Sequence, residues 1–124
     1  MRPFQDLIVW RKAHELALSI YAETKAFPRE ELYGLTSQLR RAAASVPSNI
    51  AEGSARGGAK EFGQFLAVAL GSATEVEYQL LLARDLGYLT EPSHRLLEGR
   101  LVEVKKMLVS LRSRVLTPAT NSQG

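Results

Sequence analysis

The sequence predicts an all-α protein, an antiparallel up-and-down four-helix bundle. Three observations carry that expectation. Apolar residues recur at steps of three and four along four long segments, glycine and proline punctuate the short connections between them, and no stretch alternates apolar and polar residues as a half-buried strand would. At 124 residues the chain is long enough to bury one core without disulfide or metal staples.

The first helix is expected from about Gln5 to Ala26. Val9, Trp10, Ala13, Leu16, Ala17, Ile20, Tyr21, Thr24 and Phe27 fill one broad arc, and Arg11, Lys12, Glu15 and Glu23 take the other side. Phe27-Pro28 ends it, because a residue that precedes proline avoids helical dihedrals. The second helix follows from about Thr36 to Ala55, with Leu35, Leu39, Ala42, Val46 and Ile50 as its core stripe and Gly53, Gly57 and Gly58 marking its end. Pro47 lies inside it and predicts a kink, since proline removes a backbone donor and costs ~3 kcal/mol in a helix interior.

The third helix, from about Ala59 to Leu86, is the longest rod, with Phe62, Leu66, Ala69, Ala73, Val76, Leu80 and Ala83 as its core stripe. Gly87 supplies a left-handed stop, with Tyr88 after it as the apolar contact. Thr90 is the expected N-cap of the fourth helix, helped by Glu91 and Pro92 in its first turn. The stripe Leu97, Leu101, Val104, Leu108, Leu111 and Val115 faces its core. Residues 1–116 therefore read as one bundle domain, and 117–124, which lack an apolar pattern, as a disordered tail.

Two further faces are more apolar or more compact than one bundle requires. On the second helix Arg40, Ala44, Pro47 and Ala51 share a face whose small side chains would let another backbone approach. On the third, Ala67, Gly71, Tyr78 and Leu82 lie opposite the core stripe. A soluble monomer rarely leaves such a stripe bare, so self-association is expected to cover it. Glu77 and Arg84 flank the core stripe of the same helix and are expected to form structural ion pairs with other helices.

Sixteen lysines and arginines against thirteen acids give a net charge of +3, too small by itself to argue for nucleic acid. The imbalance is local: from Arg95 to Arg114 there are six cations (Arg95, Arg100, Lys105, Lys106, Arg112 and Arg114) against Glu98 and Glu103. These cations form no single stripe, since Arg95 and Lys106 lie opposite the core while Lys105 and Arg112 flank it. The absence of cysteine excludes a disulfide framework, a thiol nucleophile and thiolate-bound zinc, and fits a reducing, cytoplasmic setting. No secretory signal pattern follows Arg2 and Pro3, and the longest apolar block, Phe65 to Leu70, falls far short of the roughly 18 residues of a membrane span, so no membrane is expected.

Chemistry-bearing motifs are incomplete. A carboxylate-bridged dimetal bundle needs two Glu-x-x-His pairs and two further inward Glu residues, whereas only Glu91 and His94 match. His14-Glu15 opens a zinc-protease pattern, but the second histidine would fall at Leu18. Gly53 to Lys60 lacks the Gly-Lys-Ser/Thr order of a phosphate loop, and it follows a helix. Arg56 and Lys60 could still hold an isolated phosphate at the start of the third helix. The expectation is a protein with no catalytic residue, metal or cofactor, not an enzyme.

A set of residues spread through the chain resembles a known family: Phe4, Leu7, Val9-Trp10, Ala13, Phe27-Pro28, Glu31, Tyr33-Gly34-Leu35, Gln38 through Ala43, Ser45-Val46, Asn49 through Gly53, Arg56, Phe62, Phe65-Leu66, Ala69, Gly71-Ser72, Glu75 and Leu86-Gly87-Tyr88. It is similar to the four-helix-bundle proteins encoded by intervening sequences of bacterial 23S ribosomal RNA, a family that also includes the accessory variability determinant of diversity-generating retroelements. The resemblance covers about Phe4 to Tyr88, its most specific block runs from Arg40-Arg41-Ala42-Ala43 to Asn49-Ile50-Ala51-Glu52-Gly53, and the fourth helix matches in pattern only.

That resemblance implies a protomer that assembles as a barrel-shaped homopentamer, with no known enzymatic reaction. It implies binding of nucleic acid and a reverse transcriptase for the retroelement branch, and no assigned role for the ribosomal branch. Arg40, Arg41, Asn49, Glu52 and Glu75 match the family's polar positions. The resemblance implies an ion-pair network for them, with nucleic-acid contact as the second reading. The chain is thus expected to be a non-enzymatic oligomeric module that binds RNA or DNA phosphate, or a nucleoprotein partner such as a reverse transcriptase. Its candidate phosphate contacts are Arg40, Arg41, Arg56, Lys60, Arg95, Lys105, Lys106, Arg112 and Arg114. The alternative is a homo-oligomeric interaction scaffold that binds no nucleic acid.

Overall fold

The computed structural model describes residues 3–118, and among them the chain is helical with no strand. A 3-10 turn at Phe4–Asp6 leads into α1 (Ile8–Thr24), and a second at Arg29–Glu31 leads into α2 (Leu35–Ala55). Next come α3 (Ala59–Asp85) and α4 (Glu91–Leu116). α2 packs most extensively on α3 and α3 on α4, while α1 closes the arrangement against α2 and α4. Each helix therefore has two neighbours and one face turned to a common core.

That core draws on all four helices: Ile20 of α1, Leu39 and Ile50 of α2, Leu66, Val76 and Leu80 of α3, and Leu101, Val104 and Leu108 of α4 are completely buried. Burial of each such side chain contributes ~1.5–3 kcal/mol. Small residues set the helix spacing. A Cβ on Gly53 would lie 2.6 Å from Phe65 Cβ, so only glycine lets α2 approach α3 there. Pro47 lies inside α2 and is buried within the chain.

The helix ends follow from local chemistry. Leu7 is extended, with ψ 123, so α1 starts at Ile8 rather than at Gln5, and the turn before it sets Phe4 edge-on against Trp10 at 4.9 Å. Gly87, at φ 81, closes α3: its N–H donates to Arg84 O and that of Tyr88 to Ala83 O, both at 2.9 Å. Thr90 Oγ1 caps α4 by accepting from Ser93 N–H at 3.2 Å.

At the far end of α4, Thr117, the first residue past the helix, donates from Oγ1 to Ser113 O at 2.6 Å. Residues 119–124 of the expected tail lie outside the described residues. By length and composition α3 alone among the described helices is long and apolar enough to cross a membrane. Its core stripe, however, is buried against the other helices of the bundle.

One joint ties three distant parts of the chain together. Glu31 accepts from Leu35 N–H through Oε1 at 3.1 Å, which caps α2, and from Tyr88 O–H through Oε2 at 3.0 Å. Gly34 leaves room for that carboxylate, since a Cβ there would stand 2.8 Å from Oε1. Phe27 packs on the Tyr88 ring at 5.4 Å. The Glu31 carboxylate, first by its hydrogen bond and then together with burial and the nearby acidic charge, holds the Tyr88 phenol above its ordinary titration range.

Candidate functional site

The residues predicted to contact phosphate fall into two groups. Arg40 is spent within the fold: its Nε donates to Thr24 Oγ1 at 2.8 Å, its Nη2 to Tyr21 O at 3.2 Å, and its guanidinium lies 4.9 Å from the Tyr21 ring centre. Its positive charge thereby sits at the C-terminal end of α1, on the Tyr21 carbonyl. Arg56 pairs with Glu52 at 2.8 Å and covers the Phe65 ring. Lys105 pairs with Glu77 at 2.7 Å, and Arg112 donates from Nε to Gly63 O at 2.9 Å. These four groups serve helix packing first.

Arg41, Lys60, Arg95, Lys106 and Arg114 are exposed and form no ion pair among the described residues. They are not one patch. Lys106 and Arg114 line a single groove of about 520 Å³ between the N-terminal segment and α4, together with Asp6, Ile8, Met107 and Leu111. Arg41 stands apart on the α2–α3 side.

That side carries a polar seam. Ser45 Oγ and Ser72 Oγ share a hydrogen bond of 2.8 Å between α2 and α3, and Asn49 Nδ2 donates to Ser45 O at 2.8 Å and Ser45 Oγ at 2.9 Å. Gln38, Arg41 and Glu75 complete a shallow groove there of about 210 Å³. Arg41 and Glu75 face the same groove without closing an ion pair.

The expected ion-pair set is therefore not one network. Glu77 bridges to α4 through Lys105, at side-chain exposures of 26% for Lys105 and 36% for Glu77. Arg84 instead pairs with its neighbour Asp85 at 2.9 Å, because Asp85 is the carboxylate within reach at the end of α3. The Glu52–Arg56 pair runs along the end of α2 at the surface, where such pairs contribute ~0.3–0.5 kcal/mol.

The faces expected to meet a partner separate as well. Ala44, Pro47 and Ala51 do share a face, and they form one wall of a groove of about 370 Å³. Trp10, His14, Leu18 and Tyr21 of α1 form the other wall. His14 stacks on Trp10 at 5.0 Å, which places its ring on the α1 wall of that groove. On α3, Ala67, Gly71 and Tyr78 are exposed, whereas Leu82 packs against the core of the chain. His94, the half-motif of α4, is 2% exposed, and neither ring nitrogen has a hydrogen-bond partner. It is a core residue.

Sequence reasoning missed the Glu31–Tyr88 clamp and the ties between α1 and α4, which are Lys12–Glu103 at 3.3 Å and Arg100 Nη1 to Ser19 Oγ at 2.9 Å. For the clamp a signal existed: Phe27, Glu31, Gly34 and Tyr88 all belong to the recurring signature, and three-dimensional proximity is what unites them.

Comparison with known proteins agrees with this architecture. The family described as 23S rRNA-intervening sequence protein matches residues 5–110. A 1.70 Å crystal structure of a protein of unknown function from the S23 ribosomal protein family of Bacteroides thetaiotaomicron superposes with a TM-score of 0.79 at 27% identity. That match covers 86% of this chain and 96% of the other. No curated protein matches the chain.

Proposed function

The chain belongs to the 23S rRNA-intervening sequence protein family, and from that premise we propose that it is a non-enzymatic, self-associating four-helix module that binds the phosphate backbone of RNA or DNA, alone or in a nucleoprotein such as a reverse transcriptase complex. The observation that carries this reading is the exposed cation pair Lys106 and Arg114, which line one groove on the most basic helix. Phosphate contact is a matter of unspent positive charge, and these two groups are free of carboxylate partners among the described residues. The family's description names a ribosomal RNA element, which is consistent with a nucleic-acid partner. His94 is sealed in the core and His14 is stacked on Trp10, an arrangement that fits a binding role for the surface cations.

An antiparallel up-and-down course is supported by the seams. Ser45 meets Ser72, while Gly53, two turns further along α2, lies against Phe62 and Phe65. Likewise Glu77 meets Lys105, while Gly63 meets Arg112. Assembly into a ring would multiply the field, since five copies at +3 each carry roughly +15.

The reading is tested by replacing Lys106 and Arg114 together with glutamate and titrating a fluorescent single-stranded RNA at several salt concentrations. Loss of two contacts lowers the slope of log K against log salt by about 1.4, at roughly 0.7 per contact on single strands. Arg40→Gln, by contrast, is expected to lower stability and leave the slope alone. An unchanged slope in the double variant would remove these residues from the site. A scaffold that binds no nucleic acid is the second reading, favoured by the four cations already committed to packing.

A further inference from the structure

We infer that the groove between the N-terminal segment and α4 receives an unpaired nucleotide, so that the protein prefers single-stranded nucleic acid, and that Asp6 selects guanine there. The inference rests on the phosphate-contact reading of Lys106 and Arg114 above and adds what lies between the phosphates. Backbone contact alone asks only for exposed cations on an open surface. Here the two cations line a groove of about 520 Å³ together with Leu7, Ile8, Met107 and Leu111. That volume falls within the ~300–1,000 Å³ typical of small-ligand sites.

The apolar lining decides for an unpaired base. Ile8 is 55% exposed, and Met107 and Leu111 are only partly buried against the core, so carbon surface in the groove still faces water. In a duplex the bases are stacked and paired inside, and a phosphate at the groove would leave that carbon surface uncovered. A single strand can turn a base out of its stack, which is how proteins read single strands. Met107, unbranched and polarisable, adapts to a flat ring. About two turns of α4, ~12 Å along the axis, separate Lys106 from Arg114, so the phosphates on either side of one nucleotide can each meet a cation.

Asp6 gives the groove its selectivity. Its carboxylate opposes phosphate, yet it lines the same groove as the two cations and forms no ion pair among the described residues. Nor is it spent on the start of α1, which has no side-chain cap. An ionised carboxylate only accepts hydrogen bonds, and it does so through two oxygens. Guanine offers two adjacent donors, N1–H and N2–H, on its Watson–Crick edge, whereas uracil offers one N–H between two carbonyl acceptors. A bidentate contact of this kind favours the right base by about ten-fold.

The test titrates the full chain, at one low salt concentration, with a fluorescent oligouridine, with the same strand carrying one internal guanosine, and with that second strand annealed to its complement. The guanosine strand is expected to bind about ten-fold more tightly than oligouridine, and the duplex most weakly. Asp6→Asn and Ile8→Ser both change exposed residues, and circular dichroism confirms their helical content. Asp6→Asn removes a charge that opposes phosphate along with the paired acceptors, so it is expected to bind oligouridine more tightly than the wild type while losing the preference for guanosine. Ile8→Ser is expected to narrow the gap between single strand and duplex. Tighter binding of both strands by Asp6→Asn at an unchanged ratio would make Asp6 a bystander charge and overturn the selection of guanine. Duplex binding as tight as single-strand binding in the wild type, or an unchanged gap in Ile8→Ser, would overturn the unpaired nucleotide. The two readings fail separately. Base and strand preferences can be absent while the salt slope still falls in the Lys106 and Arg114 double variant, which leaves backbone contact standing, whereas an unchanged slope removes the phosphate reading and this inference with it.

Discussion

Arg40 and Lys106 carry the same charge and have opposite fates. Arg40 is consumed by Thr24 Oγ1, the Tyr21 carbonyl and the Tyr21 ring, whereas Lys106 stands free beside a groove. A one-dimensional charge count cannot separate them, because the groups that engage an arginine come from another helix. The same holds for Arg112, whose acceptor is the Gly63 carbonyl 49 residues away in the chain. What was legible at this scale was chemistry with a local partner, such as the Thr90 cap and the Gly87 stop. Tyr88 gives a test at the residue scale. Its phenol is held above the ordinary value of ~10 by the Glu31 hydrogen bond first, then by burial and acidic neighbours. A raised folded value means that this contribution to stability is whole below the unfolded value and is lost as pH rises through the folded one. In Glu31→Gln the alkaline absorbance titration assigned to Tyr88, by difference from Tyr88→Phe, should move back down toward ~10. A titration that stays in place would remove Glu31 as the cause.

At the scale of elements, periodicity located all four helices, because each has a buried stripe that only a 3.6-residue period can build. The start of α1 was misplaced because Leu7 turns extended to bring Phe4 onto Trp10, a tertiary contact that outweighs the helical pattern of residues 5–7. Polar seams were the least legible feature. Ser45 and Ser72 are ordinary helix-surface residues in sequence, and only the close α2–α3 approach makes them partners. That approach depends on Gly53 near the helix end. Gly53→Ala should destabilise the protein by about 1–3 kcal/mol through overpacking against Phe65, more than the ~1 kcal/mol that alanine gains in helix propensity. Chemical denaturation should show a lower midpoint at unchanged slope. An unchanged midpoint would mean that the α2–α3 spacing gives way without cost.

For the whole molecule, the fold is fixed by one apolar core shared by four helices, and what remains on the outside divides by chemistry. Exposed cations on α4, a carbon-lined groove between α1 and α2, and a hydroxyl and amide seam between α2 and α3 occupy different sides. Such a division suits a protein that uses separate surfaces for its own copies and for a charged ligand. The family signature pointed to the residues of the clamp and of the seam, while the basic groove on α4 was legible only as a local excess of charge. The most direct measurement of the central proposal is a fluorescence anisotropy titration of the wild-type chain with a structured RNA and a DNA duplex at low and moderate salt, with the assembled mass determined on the same sample. The expected result is binding by an oligomer that weakens steeply as salt rises. An intact oligomer that binds neither nucleic acid at low salt would contradict it.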